Sequence, residues 1–220
     1  MTVYGIIDIL DSYKFTIEEN TPLEEEVALD PELLGKVFEN LLASYNPETK
    51  TTARKQTGSF YTPREMVNYM AEESLKSYLK QTIDDEQRLK RLFSFEEYQE
   101  EFTELEKKKL LQALNECKIL DPACGSGAFP MGMLQKMTYV LKKLDPENEI
   151  WFELVISNFP RYMQDEVRKK LKGENWNYVR KLGIIQECIY GVDIQPIAIQ
   201  IAKLRFFISL LVEQNEKPRE

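Results

Sequence analysis

Apolar residues recur along most of this chain at helical spacing, with two short exceptions. In "DPELLGKVFENLLASYNP", Leu33, Leu34, Val37, Phe38, Leu41 and Leu42 fall three and four apart and form one stripe. Asp30 suits a cap, Pro31 suits the first helical position, and Asn46-Pro47 ends the pattern. Upstream, "YGIIDIL" predicts a short helix and "TIEENTPLEEEVALD" a solvated acidic connection. A polar stretch from Glu48 to Ser59 follows, and "TPREMVNYM" then starts another helix. There Thr62 is placed to cap, Pro63 to take the first turn, and Glu65 to complete a capping box. Residues 76–116 are charged and helical in pattern, which predicts one or two surface helices, an antiparallel pair turning at "FSFEE".

The exceptions are "CKILDPA" and "CIYGVDI", short apolar runs that stop at Asp121 and Asp193 and read as strands. Met131 to Leu144 carries an apolar helical pattern. Residues 147–187 continue mostly helical, with interruptions at Asn158-Phe159-Pro160 and Gly173. "PIAIQIAKLRFFISLLVE" is apolar on most faces of a helix, more than a surface helix needs. The order of helices, strand, helix, further helices, strand and helix predicts an α/β fold. It matches the first part of a doubly wound parallel sheet, behind an N-terminal helical region and helix-rich overall. Two strands make a marginal sheet, so the chain is expected to be part of a longer protein, with apolar surface on the last helix available for packing or self-association.

Composition narrows the chemistry. At 220 residues, 43% hydrophobic and 30% charged, the chain has the make-up of a globular domain. No apolar run reaches the roughly 18 residues that span a bilayer and no signal peptide opens the chain, so a cytoplasmic protein with no membrane partner is expected. The three cysteines, Cys117, Cys124 and Cys188, form no CxxC pair. Histidine is absent, which removes Ser-His-Asp triads, Cys-His dyads and histidine-ligated metals; no metal site is expected. A net charge of -8 is the wrong sign for a surface that grips phosphates. Lys50, Arg54 and Lys55 in the polar stretch could touch a phosphate backbone, although a solvated loop accounts for them more simply.

The stretch "ILDPACGSGAFPMG", Ile119 to Gly132, holds the strongest functional signal. A strand-to-helix turn at the carboxyl edge of a sheet lays bare backbone against a ligand, and glycine removes the Cβ that would hold the ligand away. Gly125 and Gly127 occupy that turn, and the helix that follows offers free N–H groups. A dinucleotide fingerprint needs a third glycine at Pro130 and an acid about 20 residues on, so a nicotinamide site is disfavoured. A phosphate loop fails for want of Gly-Lys-Ser/Thr. S-adenosylmethionine fits better: it has no pyrophosphate, and a carboxylate after the second strand, Asp193, can accept both ribose hydroxyls, with Ile194 and Pro196 beside the adenine. Capping the following helix is the plain alternative for Asp193.

Three motifs in order, "TGSFYTP", "LDPACGSGAF" and "IYGVDIQPIAIQIAKLR", with "DPELLGKVFENLL" and "ARKQ" upstream, resemble the adenine-specific, amino-group DNA methyltransferases of restriction–modification systems. The resemblance is closest to large single-chain enzymes that combine methylation and restriction. It runs from about Asp30 to Leu211 and is weaker between residues 76 and 117. It implies a linker and helical region over 1–58 and the first part of a Rossmann-like class I methyltransferase domain over 59–220, with a helical insertion at about 76–117. It further implies that Phe60, Tyr61, Thr62 and Pro63 line the methionine end of the cofactor. Asp121, Ala123, Cys124, Gly125 and Gly127 would form the turn beneath it with Phe129 close by, and Asp193 and Ile194 would hold the adenosine. Core packing is the ordinary alternative for Phe60 and Tyr61.

In that family an Asn/Asp-Pro-Pro-Tyr/Phe tetrapeptide takes the amino group of the flipped target base and stacks on its ring. No such tetrapeptide occurs here; "SNFP" at Ser157–Pro160 is not one and precedes the second strand. The resemblance therefore implies no catalytic residue within these 220, a domain that binds cofactor but does not methylate alone, and DNA contacts made mainly elsewhere. A methyltransferase acting on RNA or protein, a non-catalytic specificity or scaffold module, and a nucleotide-dependent oxidoreductase are the competing expectations.

Overall fold

The computed structural model describes residues 62–94, 102–171 and 175–215, the side chains of residues 214 and 215 excepted. The helix expected over residues 30–46, the polar stretch with Lys50, Arg54 and Lys55, the proposed boundary near residue 59, and the Gly173 interruption lie outside the described residues. Among them the chain runs through α1 (Arg64–Leu79), α2 (Glu86–Phe93), α3 (Glu104–Glu116) and β1 (Ile119–Asp121). It continues through α4 (Ala128–Leu144), α5 (Glu149–Ser157), α6 (Arg161–Leu171), α7 (Trp176–Glu187), β2 (Ile189–Gly191) and α8 (Pro196–Asn215). The fold is helix-rich around a two-stranded parallel sheet in which Ile119, Leu120 and Asp121 pair with Ile189, Tyr190 and Gly191.

α4 is the axis of the structure. Met131, Met133, Leu134, Met137, Val140, Leu141 and Leu144 are all buried, so this apolar helix is packed on most of its faces. It begins at Ala128, three residues before the periodicity predicts. Pro130 therefore sits in the first turn, where its missing N–H breaks no helical bond. α1 lays Val67, Ala71, Leu75 and Leu79, spaced every four residues, along α4. A Cβ on Gly132 would meet Val67 Cγ1 at 2.3 Å, so the two helices cross as closely as a glycine permits. Lys136 of α4 binds Glu72 of α1 at 3.0 Å. Burial pushes the Glu72 carboxyl up, but Lys136 and Lys76 outweigh it and hold the group below its usual range.

The segment expected as surface helices is part of the core. Leu89, Leu92 and Phe93 of α2 and Leu110, Leu111 and Leu114 of α3 are each at most 1% exposed. They join one continuous cluster with α1, α4 and Trp151 of α5. The high charge of residues 76–116 belongs to the outer faces and concealed a narrow apolar stripe on each helix.

The capping box expected at Thr62 does not form. The helix starts one residue later, with Pro63 as cap (φ -57, ψ 144) and no side-chain cap bond, which puts Thr62 outside the helix and Glu65 one position too early. The same Thr-x-x-Glu spacing does close at α3, where Thr103 Oγ1 accepts from Glu106 N and Glu106 accepts from Thr103 N at 2.8 Å. Glu106 also takes a two-pronged contact from Arg88 of α2, at 2.9 and 2.8 Å.

Arg88 and the Thr103 donors lower the Glu106 carboxyl from 4.5 to about 2. A lowered folded-state pKa means that the unfolded chain binds the extra proton. This contribution is thus complete above about 4.5 and is lost as pH falls toward about 2. The melting temperature of Glu106→Gln is expected to lie below wild type at pH 7 and to converge on it between pH 4.5 and 2. Thermal denaturation across that range checks it; a constant gap would contradict the assignment.

Candidate site at the carboxyl edge of the sheet

Beyond the last paired residues the two strand exits stay zipped together. Val192 N donates to Asp121 O at 2.9 Å, and Cys124 N donates to Val192 O at 3.0 Å. This extra ladder carries the loop after β1 and the loop after β2 side by side, so residues 68 apart in sequence meet. The bond that closes the meeting runs from Gly125 N to Asp193 Oδ2, at 2.8 Å. The other Asp193 oxygen accepts from Gln195 N at 2.8 Å. Asp121 turns back in the same fashion and accepts from Ala123 N at 3.1 Å.

The structure thus brings Asp121, Ala123, Cys124, Gly125, Gly127 and Asp193 into one edge. Asp193 is two residues past β2 rather than its last residue. It does not cap α8: the first helical donors, Ala198 N and Ile199 N, go to the Gln195 carbonyl. Its carboxylate instead ties the loops together while half-exposed. A carboxylate offers about four lone-pair directions, and two are used here, so two remain for a ligand.

The two glycines do different work. Both have positive φ, 53° at Gly125 and 85° at Gly127, so each needs a residue without Cβ strain. A Cβ at Gly125 would meet nothing within 4 Å, so this backbone faces open space. A Cβ at Gly127 would meet Ala202 Cβ at 3.0 Å, so this glycine lets α8 close on the start of α4. A third glycine, Gly191, leaves room for Cys124, whose Sγ would stand 2.9 Å from an added Cβ.

The remaining predicted residues are placed as follows. Thr62 is half-buried and Pro63 exposed at the start of α1; Phe60 and Tyr61 lie outside the described residues. Phe129 is half-buried and packs against the main core. Ile194 is 88% exposed beside Asp193. Cys124 is buried, and burial, then Asp121 and Asp193, raise its thiol pKa, so it stays protonated at neutral pH. Burial also pushes Cys188 up to about 12, and Cys117 up as well.

Two groups at this edge escaped the sequence. Ser126 is 4% exposed, and its carbonyl accepts from Arg205 Nη1 at 2.9 Å; Arg205, on α8, is itself 4% exposed. The available signal was a cation set in the apolar run "IAKLRFFISLL", where Lys203 turns to solvent and Arg205 does not. On the far face of the sheet Leu120 and Tyr190 are 64% and 46% exposed, and α8 leaves Phe207 56% exposed, in line with the expected apolar surface. No helix among the described residues is long and apolar enough to cross a membrane.

No family model matches the chain, and no solved structure matches it. Among curated proteins, one from Methanocaldococcus jannaschii named "Putative type II restriction enzyme and methyltransferase" is 30% identical over 216 residues. The match takes in 94% of this chain and 16% of the relative's length, so the chain corresponds to a small part of that protein.

Proposed function

We propose that this chain is the cofactor-binding part of a restriction–modification methyltransferase, and that the edge formed by Gly125 and Asp193 holds S-adenosylmethionine. The observation that carries the reading is the 2.8 Å bond between Gly125 N and the Asp193 carboxylate. It sets a half-exposed acid with spare lone pairs against a positive-φ backbone that opens on free space. The similarity to a protein named as a restriction enzyme and methyltransferase points the same way.

The residues suit this ligand. Asp193 accepts the ribose hydroxyls through its two remaining lone-pair directions, and the exposed Ile194 offers an apolar surface for the adenine. Gly125 lets the ligand approach the main chain. Asp121 and Asp193 supply negative charge, which complements a sulfonium and an ammonium group. Phe60, Tyr61, Thr62 and Pro63 would complete the methionine end. The cofactor, when bound, supplies a methyl group already activated by positive sulfur, so neither metal nor imidazole is needed. What the protein must add is alignment and exclusion of water. Cys124 beside such an alkylating ligand is held as a neutral thiol, which keeps it from becoming the methyl acceptor.

The acceptor we propose is the exocyclic amine of adenine in DNA. The tetrapeptide that would hold that base is not among these 220 residues and belongs, in this account, to the rest of the whole protein, with most DNA contacts. The test is methyl transfer by the whole protein from tritium-labelled cofactor to DNA, followed by digestion to nucleosides. Label in N6-methyladenine is expected. Label in RNA, protein or cytosine would replace the acceptor, and absence of cofactor binding by a folded chain would favour a scaffold role.

A further inference from the structure

We propose that Arg205 is a positioning residue for the glycine turn, a role that rests on the cofactor reading above. A guanidinium is costly to bury and must be held by good partners. Here it lies 4% exposed in a mostly apolar helix, with Nη1 donating at 2.9 Å to the carbonyl of Ser126, the residue between the two glycines. That bond holds the C=O side of the peptide joining Ser126 to Gly127, whose N–H side donates to Cys124 O at 2.8 Å. Gly127 is the left-handed cap of α4, and its missing Cβ is what admits Ala202 from the same face of α8.

The turn is therefore clamped from both ends by opposite charges. The Asp193 carboxylate takes the N–H of Gly125, and the Arg205 guanidinium takes the C=O of Ser126, the next residue. The two peptide groups that flank the Gly125–Ser126 peptide are oriented in this way. Without the second clamp the Ser126–Gly127 peptide is held through its N–H alone, by the 2.8 Å bond from Gly127 N to Cys124 O, and turns more readily, because glycine imposes no preference of its own. The open face of Gly125 and the Asp193 carboxylate would then lose their fixed relation. Arginine suits the task better than lysine, since its planar fork is pre-organised and keeps its charge. Arg205 also lines a depression with Arg64, at the start of α1, and with Ala128 and Met131 of α4, next to the turn.

The test is calorimetric titration of the full chain with S-adenosylhomocysteine, for wild type, Arg205→Met, Arg205→Lys and the control Val140→Ala. Amide hydrogen exchange is read in parallel. Val140 is fully buried in α4 more than three turns from the glycines, so its truncation lowers stability without touching the turn. Arg205→Met is expected to bind at least about tenfold more weakly, through loss of a charge-assisted hydrogen bond. Arg205→Lys, which keeps one donor, should bind about threefold more weakly. Both should exchange faster at residues 125–128, while Val140→Ala keeps wild-type affinity. A folded Arg205→Met that binds as wild type does would overturn the inference. If that variant does not fold, wild-type affinity and exchange in Arg205→Lys would overturn it instead. Failure of wild type to bind would sink the cofactor reading and this role with it, whereas unchanged binding in the Arg205 variants sinks this role alone.

Discussion

Replacing Asp193 by alanine is expected to weaken S-adenosylmethionine binding by about 100-fold while leaving the chain folded. Each hydrogen bond to a charged group contributes about 1.5–3 kcal/mol, and two ribose hydroxyls are to be held. The lower value for both gives about 3 kcal/mol, or roughly two decades in affinity. The same substitution removes the acceptors of Gly125 N and Gln195 N. Both groups are only partly buried and can turn to water, so the cost to folding should be about 1–2 kcal/mol. Asp193→Asn keeps one oxygen and loses the charge, and should fall between, at about tenfold weaker. Titration calorimetry with parallel thermal melts measures both quantities. A folded Asp193→Ala chain of wild-type affinity would mean that this carboxylate only ties loops together.

Gly132→Ala should destabilise the protein by about 2 kcal/mol, although alanine is the better helix former. The preference for alanine over glycine within a helix is about 1 kcal/mol. Against it stands an added Cβ placed 2.3 Å from Val67 Cγ1, well inside contact distance. Valine in a helix has one strongly preferred rotamer and cannot easily turn the methyl away, and Val67 is 5% exposed. Overpacking of this kind costs about 1–3 kcal/mol; so severe an overlap sits at the upper end and outweighs the propensity gain. The sign should reverse in a Val67→Ala background. The offending methyl is then gone, and Gly132→Ala should stabilise by about 0.5–1 kcal/mol. Denaturant unfolding of the four chains closes this cycle; equal effects of Gly132→Ala in both backgrounds would contradict the α1–α4 packing.

The sequence exposed the skeleton of this site more readily than its wiring. Both strands and the helices after them were legible, because each strand is a short apolar run with an aspartate at or just past its end and a long apolar helical segment follows each. The glycine turn was legible because few residues tolerate positive φ. What each glycine faces was not: Gly125 opens on free space and Gly127 on Ala202, a distinction that depends on where α8 packs. The capping box went astray by a single residue, since Thr62 and Thr103 carry the same local signal and only the point where the helix begins separates them. Arg205 was hidden by its own apolar surroundings, as its partner is a backbone carbonyl 79 residues away. The sequence places Gly125 and Asp193 only through a shared ligand, whereas the direct bond between them is a product of the extra ladder through Val192.

The most direct measurement is a crystal structure of the chain with a non-reactive analogue of the cofactor such as sinefungin. Both ribose hydroxyls are expected at about 2.7 Å from the Asp193 carboxylate oxygens, with the adenine against Ile194 and the ligand passing over Gly125. An analogue bound elsewhere, or one whose ribose is held by other groups while Asp193 keeps only its own loop, would contradict this placement.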